Sequence, residues 1–191
     1  MTKVIPPPLL KTVSTIVPDA QTLCAALMQI ATQTEAKKGA VILQEGKICR
    51  HIYFVASGCL RTYTLNNGTE VNTDFTFEGG FATNLRSLRT AGASDTTIEA
   101  YEPSVLYRFE SNAMLELYTT IPGAETFGRT VTEQVLMRQE AHANMFRLLT
   151  GKERYQYLLT TQPEILQRIS LSQIASYLGI ARETLSRIRK P

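Results

Sequence analysis

The chain reads as an α+β protein: an N-terminal antiparallel β-roll, a long helix, and a helix-turn-helix at the C-terminal end. Three observations predict this. Between Lys38 and Phe109, short alternating runs recur with turn residues between them. From Ala124 to Leu149 the chain has no proline, and apolar residues return at helical spacing. From Ile169 to Lys190, a small residue, a glycine and two apolar anchors stand where two tightly crossing helices need them.

The elements follow in chain order. Pro6-Pro7-Pro8 is expected to be a stiff extended lead-in. Asp19 caps a short helix reaching about Met28, with Leu23, Ala26, Leu27 and Ile30 on one face. Val41–Leu43 runs into the turn Glu45-Gly46, and His51–Val55 into the turn Ser57-Gly58. Leu60–Leu65 alternates and ends at Asn66-Asn67-Gly68, a strong hairpin signal. Glu70–Phe77 alternates again, and a loop rich in Gly, Ser and Thr follows. Thr97–Ala100 and Val105–Phe109 complete the strands. Asn112–Tyr118 forms a short helix, broken by Pro122-Gly123.

The long helix from Ala124 to Leu149 carries a stripe of Phe127, Val131, Val135, Met145 and Leu149, interrupted by Arg138 and His142. It either packs on the roll or pairs with its twin in a dimer. Palindromic DNA sites need two reading heads, which favours the dimer. Gly151 marks a hinge, and Lys152 to about Thr160 is helical. The expected organisation is a β-roll domain over 1–122, a dimerisation helix over 123–149 and a helix-turn-helix domain over 150–191.

Composition limits the function classes. The 191 residues are 43% hydrophobic and 19% charged, with formal net charge +3. Such a chain builds a core and is mildly basic, compatible with nucleic acid. Cys24, Cys49 and Cys59 give neither a CxxC pair nor a zinc pattern, so they read as free thiols in a reducing cytoplasm. No membrane-spanning run and no signal peptide is visible, so a cytoplasmic location and no membrane partner are expected. No metal site, catalytic residue or cofactor is identified.

In the C-terminal segment, Ser170 with Gln173 reads as a capping box opening the first helix. Ile174 and Leu178 lie on its buried face, and Ala175 is small where a second helix crosses. Gly179 ends the helix in a left-handed conformation, Ile180 plugs the corner, and Leu185 and Ile188 anchor the second helix. Subtracting these leaves Arg182, Glu183, Ser186, Arg187, Arg189 and Lys190 on the surface. Arginine can donate two bonds to guanine and glutamate can accept from cytosine. Arg182, Glu183 and Arg187 suit base edges, while Arg189 and Lys190 suit phosphate.

At these residues the sequence resembles the cyclic AMP receptor protein/FNR (Crp/Fnr) family of bacterial transcription regulators. The run Arg182–Ile188 is close to that family's recognition helix, in which the residues matching Arg182, Glu183 and Arg187 contact bases. The resemblance covers nearly the whole chain and is nearest the short form found in Bacteroidetes-type bacteria. It implies a cyclic-nucleotide-binding-like jelly roll, with Gly58-Cys59-Leu60-Arg61 as its strand after a glycine turn. It further implies a homodimer on pseudo-palindromic double-stranded DNA, contact with RNA polymerase, and a small-molecule effector.

Three departures from the family pattern stand out. Ala181 replaces the serine that usually caps the recognition helix, a cap worth about 1 kcal/mol. The sequence reaches Pro191 where members usually continue into a β-hairpin wing, so weaker DNA affinity or a dispensable wing is expected. In the family's nucleotide pocket, Gly-Glu precedes an arginine about ten residues on. Here the ligand-binding candidates are Gly79, Gly80, Arg89, Thr90 and Ala91, with Gly80 in place of the acid. A second register, set by Thr97–Ala100, puts Ser94 at the arginine's place. Half of the clamp is missing either way, so another small ligand or none is expected over a cyclic nucleotide. Two rival functions remain: a protein-interaction or ligand-sensing module with weakened DNA binding, and a cupin-like enzyme. The enzyme needs a histidine cluster that His51 and His142 do not supply.

Overall fold

The computed structural model describes residues 4–189. Its elements in chain order are α1 (Pro7–Ser14), α2 (Ala20–Ile30), β1 (Thr32–Ala36), β2 (Val41–Leu43), β3 (His51–Ser57), β4 (Leu60–Asn66), β5 (Thr69–Thr76) and β6 (Phe81–Ala82). They continue with α3 (Leu85–Thr90), β7 (Thr97–Ala100), β8 (Ser104–Glu110), α4 (Ser111–Thr120), α5 (Ala124–Leu148), α6 (Gly151–Thr161), α7 (Pro163–Arg168), α8 (Leu171–Leu178) and α9 (Arg182–Ile188). The chain separates into two compact units. One takes in residues up to Thr62 together with Thr76–Val135; the other takes in Tyr63–Phe75 together with residues from Leu136 onward. The sequence boundaries at 122 and 149 differ from this division, which groups the β4–β5 hairpin with the C-terminal helices.

The strands form two antiparallel sheets, which hold all of the first unit's strands and the β4–β5 hairpin. One four-stranded sheet has the order β1-β8-β3-β6 and the other the order β2-β7-β4-β5. Tyr53, Val55, Leu106, Leu60 and Ile98 belong to a core shared by both sheets. Phe54, Tyr107 and Phe109 lie in a second core with Leu9, Leu23, Leu27 and Phe127. Successive residues of β3 and β8 therefore enter opposite cores, as a strand's twofold alternation dictates. This explains the unbroken apolar run from Ile52 to Val55, because both faces of the strand are covered.

Several local expectations are corrected. The proline run is no extended lead-in: Pro6 alone is extended, at φ −63° and ψ 133°, and a helix begins at Pro7. A proline in the first turn lacks only an N–H that would have no helical partner anyway, and Leu9 and Val13 are fully buried on this helix. The loop after Phe77 contains α3, whose N-terminus is capped by the Asn84 side chain accepting from the Ser87 N–H. β1 escaped detection because four of its five residues are exposed and none alternates. Pro163–Arg168, also unforeseen, is a helix opened by proline. Gly151 is the first residue of α6 rather than a hinge, and Thr150 and Glu153 form a reciprocal capping box before it.

In the second unit the hairpin turns at Asn67 (φ 50°) and Gly68 (φ 79°). Two consecutive positive φ angles are what a type I′ turn requires, and Asn-Gly tolerates them best. The 25-residue α5 begins in the first unit and ends in the second. The C-terminal helices bury Leu158, Ile165, Ile169, Ile174, Leu178 and Leu185.

Candidate nucleic-acid interface

α8 and α9 are joined by three residues, Gly179-Ile180-Ala181. Gly179 sits at φ 62° and ψ 37°, and its N–H donates back to the carbonyls of Ala175 and Ser176. The Ile180 N–H donates to the Ala175 carbonyl at 3.0 Å. A side chain at position 179 would run into the Phe146 ring as well as strain the left-handed backbone. Ala175 is buried, Leu185 is fully buried beneath α9, and Ile188 is half-buried. Each residue named from sequence for the turn and its anchors holds the position expected of it.

The capping box does not form. Ser170 stands at the N-cap of α8 without a side-chain cap bond. Gln173 faces the hairpin instead, where its Oε1 accepts from Asn72 Nδ2 at 2.6 Å. A tertiary partner has taken the side chain that the local motif requires. Likewise Ala181, at the N-cap of α9, makes no side-chain bond.

The turn is braced from the end of α5 and the start of α6. His142 stacks on Tyr177, with ring centroids 4.4 Å apart, and meets Phe146 edge-on at 5.0 Å. Its Nε2 lies 3.1 Å from the Tyr177 carbonyl, an acceptor only, so this nitrogen carries the proton. Burial holds the imidazole below its ordinary value, and Arg154 adds to that; the Tyr177 bond and Asp74 pull the other way. Arg154 donates Nε to the Leu149 carbonyl (3.0 Å), Nη1 to the Leu178 carbonyl (3.0 Å) and Nη2 to the Phe146 carbonyl (3.2 Å). One guanidinium thus satisfies the last carbonyls of two helices, where their dipoles favour a cation. Sequence reasoning missed Arg154. The legible signal was its place just after the Thr150–Glu153 box, one turn into a helix that follows another closely.

Above this base, α9 presents a charged surface. Arg182, Glu183, Arg187 and Arg189 are exposed and Ser186 is half-buried. None of them belongs to the ion pairs found among the described residues, such as those joining Arg61 to Glu99, Arg86 to Asp95 and Arg129 to Glu133. Lys190 lies outside the described residues. The arrangement offers several guanidinium groups and one carboxylate on a short helix whose opposite side is anchored by Leu185.

The ligand-binding candidates fall in different places. Gly79 and Gly80 lie in the turn leading to β6, where the Gly79 N–H donates to the Val55 carbonyl and the Gly80 carbonyl accepts from the Val55 N–H. Arg89 and Thr90 end α3, and Ala91 follows at φ 53°; all three are exposed. A cleft of about 380 Å³ is lined by Ala91 with Ile48, Cys49, Arg50, Leu88 and the start of α4, and by none of the other four candidates. Ser94 is buried, donating its hydroxyl to the Thr96 carbonyl at 2.7 Å. Beside it Asn84 Nδ2 donates to Asp95 Oδ1 (2.7 Å) and Thr96 Oγ1 (3.0 Å). Among the described residues, no group of three or more His, Cys, Asp or Glu side chains converges as metal ligands would. No helix among them is long and apolar enough to cross a membrane.

Residues 33–120 match the family profile described as the cyclic nucleotide-binding domain. No curated protein sequence matches the chain. Among solved structures, FixK2 from Bradyrhizobium japonicum is 22% identical with TM-score 0.69, over 83% of this chain and 82% of its own. The c-di-GMP responsive global regulator CLP of Xanthomonas campestris is 17% identical with TM-score 0.71, over 89% of each chain. A protein described as a transcriptional regulator of the Crp/Fnr family from Eubacterium rectale is 19% identical with TM-score 0.65, over 85% of this chain and 78% of its own.

Proposed function

We propose that this chain, which has the fold of Crp/Fnr regulators and carries a cyclic nucleotide-binding-type domain, is itself a sequence-specific DNA-binding transcription regulator of that type. The reading rests on one observation above all. The exposed cations of α9 have no ion-pair partner among the described residues, while the helix beneath them is locked by Leu185. Arg182, Glu183 and Arg187 read base edges in the major groove, Ser186 lies between them, and Arg189 and Lys190 meet phosphate.

The active form is a homodimer on a pseudo-palindromic site, joined along α5. Leu136, Met137 and Leu148 are large apolar residues left exposed on that helix. Met137, Ala141, Asn144 and Leu148 follow the four-three-four spacing of a two-helix seam, with Asn144 as its polar member. A single asparagine in such a seam lowers stability but fixes the register and the number of helices. Residues 1–122 act as sensor, 123–149 as dimerisation helix and 150–191 as reading head. The sensor answers an unidentified small-molecule signal, and RNA polymerase is the partner through which DNA binding acts on transcription.

Selection of random DNA by the purified protein tests this. A discrete two-fold-symmetric motif is expected. Arg182→Ala and Arg187→Ala together lose about 2–4 kcal/mol of specific binding, or about 30- to 1,000-fold in affinity. Equal enrichment by wild type and the double variant would remove α9 as the reader.

A further inference from the structure

We infer that the β4–β5 hairpin is a strap latched onto α8 through Asn72, and that this latch sets how freely α8 and its turn move. The latch stands on its own contacts; only its consequence for DNA rests on the reading of α9 given above.

Asn72 is 1% exposed, although the hairpin around its turn is largely solvent-facing. Its backbone N–H donates to Ser176 Oγ at 3.1 Å, and its Nδ2 donates to both the Gln173 carbonyl (3.0 Å) and Gln173 Oε1 (2.6 Å). Ser176 Oγ in turn donates to the Glu70 carbonyl at 3.1 Å. Gln173 and Ser176 are three residues apart, hence neighbours on one face of α8. Phe75 closes the contact, its ring 5.5 Å from that of Tyr177 in an edge-to-face arrangement. These bonds join residues about a hundred positions apart in sequence, so no local preference produces them.

The contact is specific to an amide at position 72. Gln173 turns its backbone carbonyl and its Oε1 toward Asn72, and both are acceptors that a donor at position 72 satisfies. An aspartate would set a carboxylate against two oxygens. The remaining Asn72 oxygen, Oδ1, is buried without a hydrogen-bond partner. That unsatisfied acceptor offsets part of what the other bonds contribute, which suits a contact that opens and closes.

The other end of the strap is held firmly. In the first unit Arg61, on the same strand β4, donates Nε and Nη2 to the two carboxylate oxygens of Glu99 at 3.1 and 3.3 Å. Strand β4 therefore leaves a pinned position in the nucleotide-type domain and continues into the hairpin that grips α8.

Hydrogen exchange on the full-length protein tests the latch. Asn72→Ala and Asn72→Asp are expected to raise exchange in residues 63–75 and 171–178 together by about tenfold or more, leaving β3 and β8 unchanged. Gln173→Glu, which keeps an acceptor, is expected to stay near wild type. Unchanged exchange in both Asn72 variants would overturn the proposal, and so would an equal rise throughout β3 and β8, which marks a general loss of stability. DNA affinity measured on the same samples separates the two readings. A wild-type protein that binds no DNA overturns the role of α9, while the exchange pattern still decides the latch.

Discussion

In the first unit Arg61 lies against Glu99 with side chains 8% and 16% exposed, and Arg86 reaches Asp95 at 2.9 Å. On α9, Arg182, Arg187 and Arg189 extend from exposed positions outside every ion pair among the described residues. The same side chain thus serves two purposes. A buried guanidinium must have its carboxylate, because an unpaired charge in low dielectric is costly. A solvated guanidinium needs no partner and keeps its donors for a ligand. Buried Asn84 and Ser94 follow the same rule, since each bonds to neighbouring side chains or backbone, whereas the exposed cations of α9 have no such bond among the described residues.

The largest expected effect follows from the buried pair. Arg61→Ala strands the Glu99 carboxylate and should lower unfolding stability by about 3–5 kcal/mol, read by denaturant titration. A loss under about 1 kcal/mol would mean that water already reaches the pair. The same titration on Arg182→Ala should show almost no change, which is the sharpest form of the contrast.

Next is Gly179→Ala, which forces a side chain into a left-handed position facing the Phe146 ring. It should cost about 1–3 kcal/mol, with the loss of protection concentrated in α8 and α9. Wild-type stability would show that the turn has another conformation available.

A smaller effect is expected from acid. The ordinary imidazole value is 6.5 and the folded His142 lies below it. The unfolded chain therefore binds more protons between the two values, and stability falls as pH drops below about 6.5. Above that pH the contribution of neutral His142 is complete. His51 is also lowered, chiefly by burial, so it adds to the same slope. Melting temperatures across this range should flatten in His142→Phe relative to wild type; an identical slope would put the effect elsewhere.

The smallest is Arg86→Ala. Its pair with Asp95 is more than half exposed on both sides, 66% and 56%, so a change within about 0.5 kcal/mol is expected. A larger loss would make Asp95 a structural element of the loop rather than a surface partner.

Much of the fold was legible because burial is periodic. The strands from His51 to Thr76 carry alternation, and α5 and α8 carry a helical stripe; both patterns survive in the structure. The turn residues Gly179, Asn67 and Gly68 were legible because positive φ is nearly a chemical signature. Exposed β1 had no pattern to read. Gln173 misled for a different reason: the local motif was satisfied on paper, but a side chain far away in sequence offered it a better partner. Of the candidate site, the exposed face of α9 was obtained by subtracting apolar anchors. The bracing by Arg154, His142 and Phe146 was not, since it depends on backbone carbonyls and ring contacts that sequence does not locate.

By itself the sequence determined where most helices and strands lie, which of their residues are buried, and which cations of the last helix stay at the surface. These follow from local propensity and the period of apolar residues. Only the tertiary structure decided that Asn72 would spend its amide on α8, that Arg154 would close two helix ends, and that the β4–β5 hairpin would group with the C-terminal helices. Those outcomes depend on donors and acceptors brought together from distant parts of the chain, and a hydrogen bond leaves no periodic trace in the residues that make it.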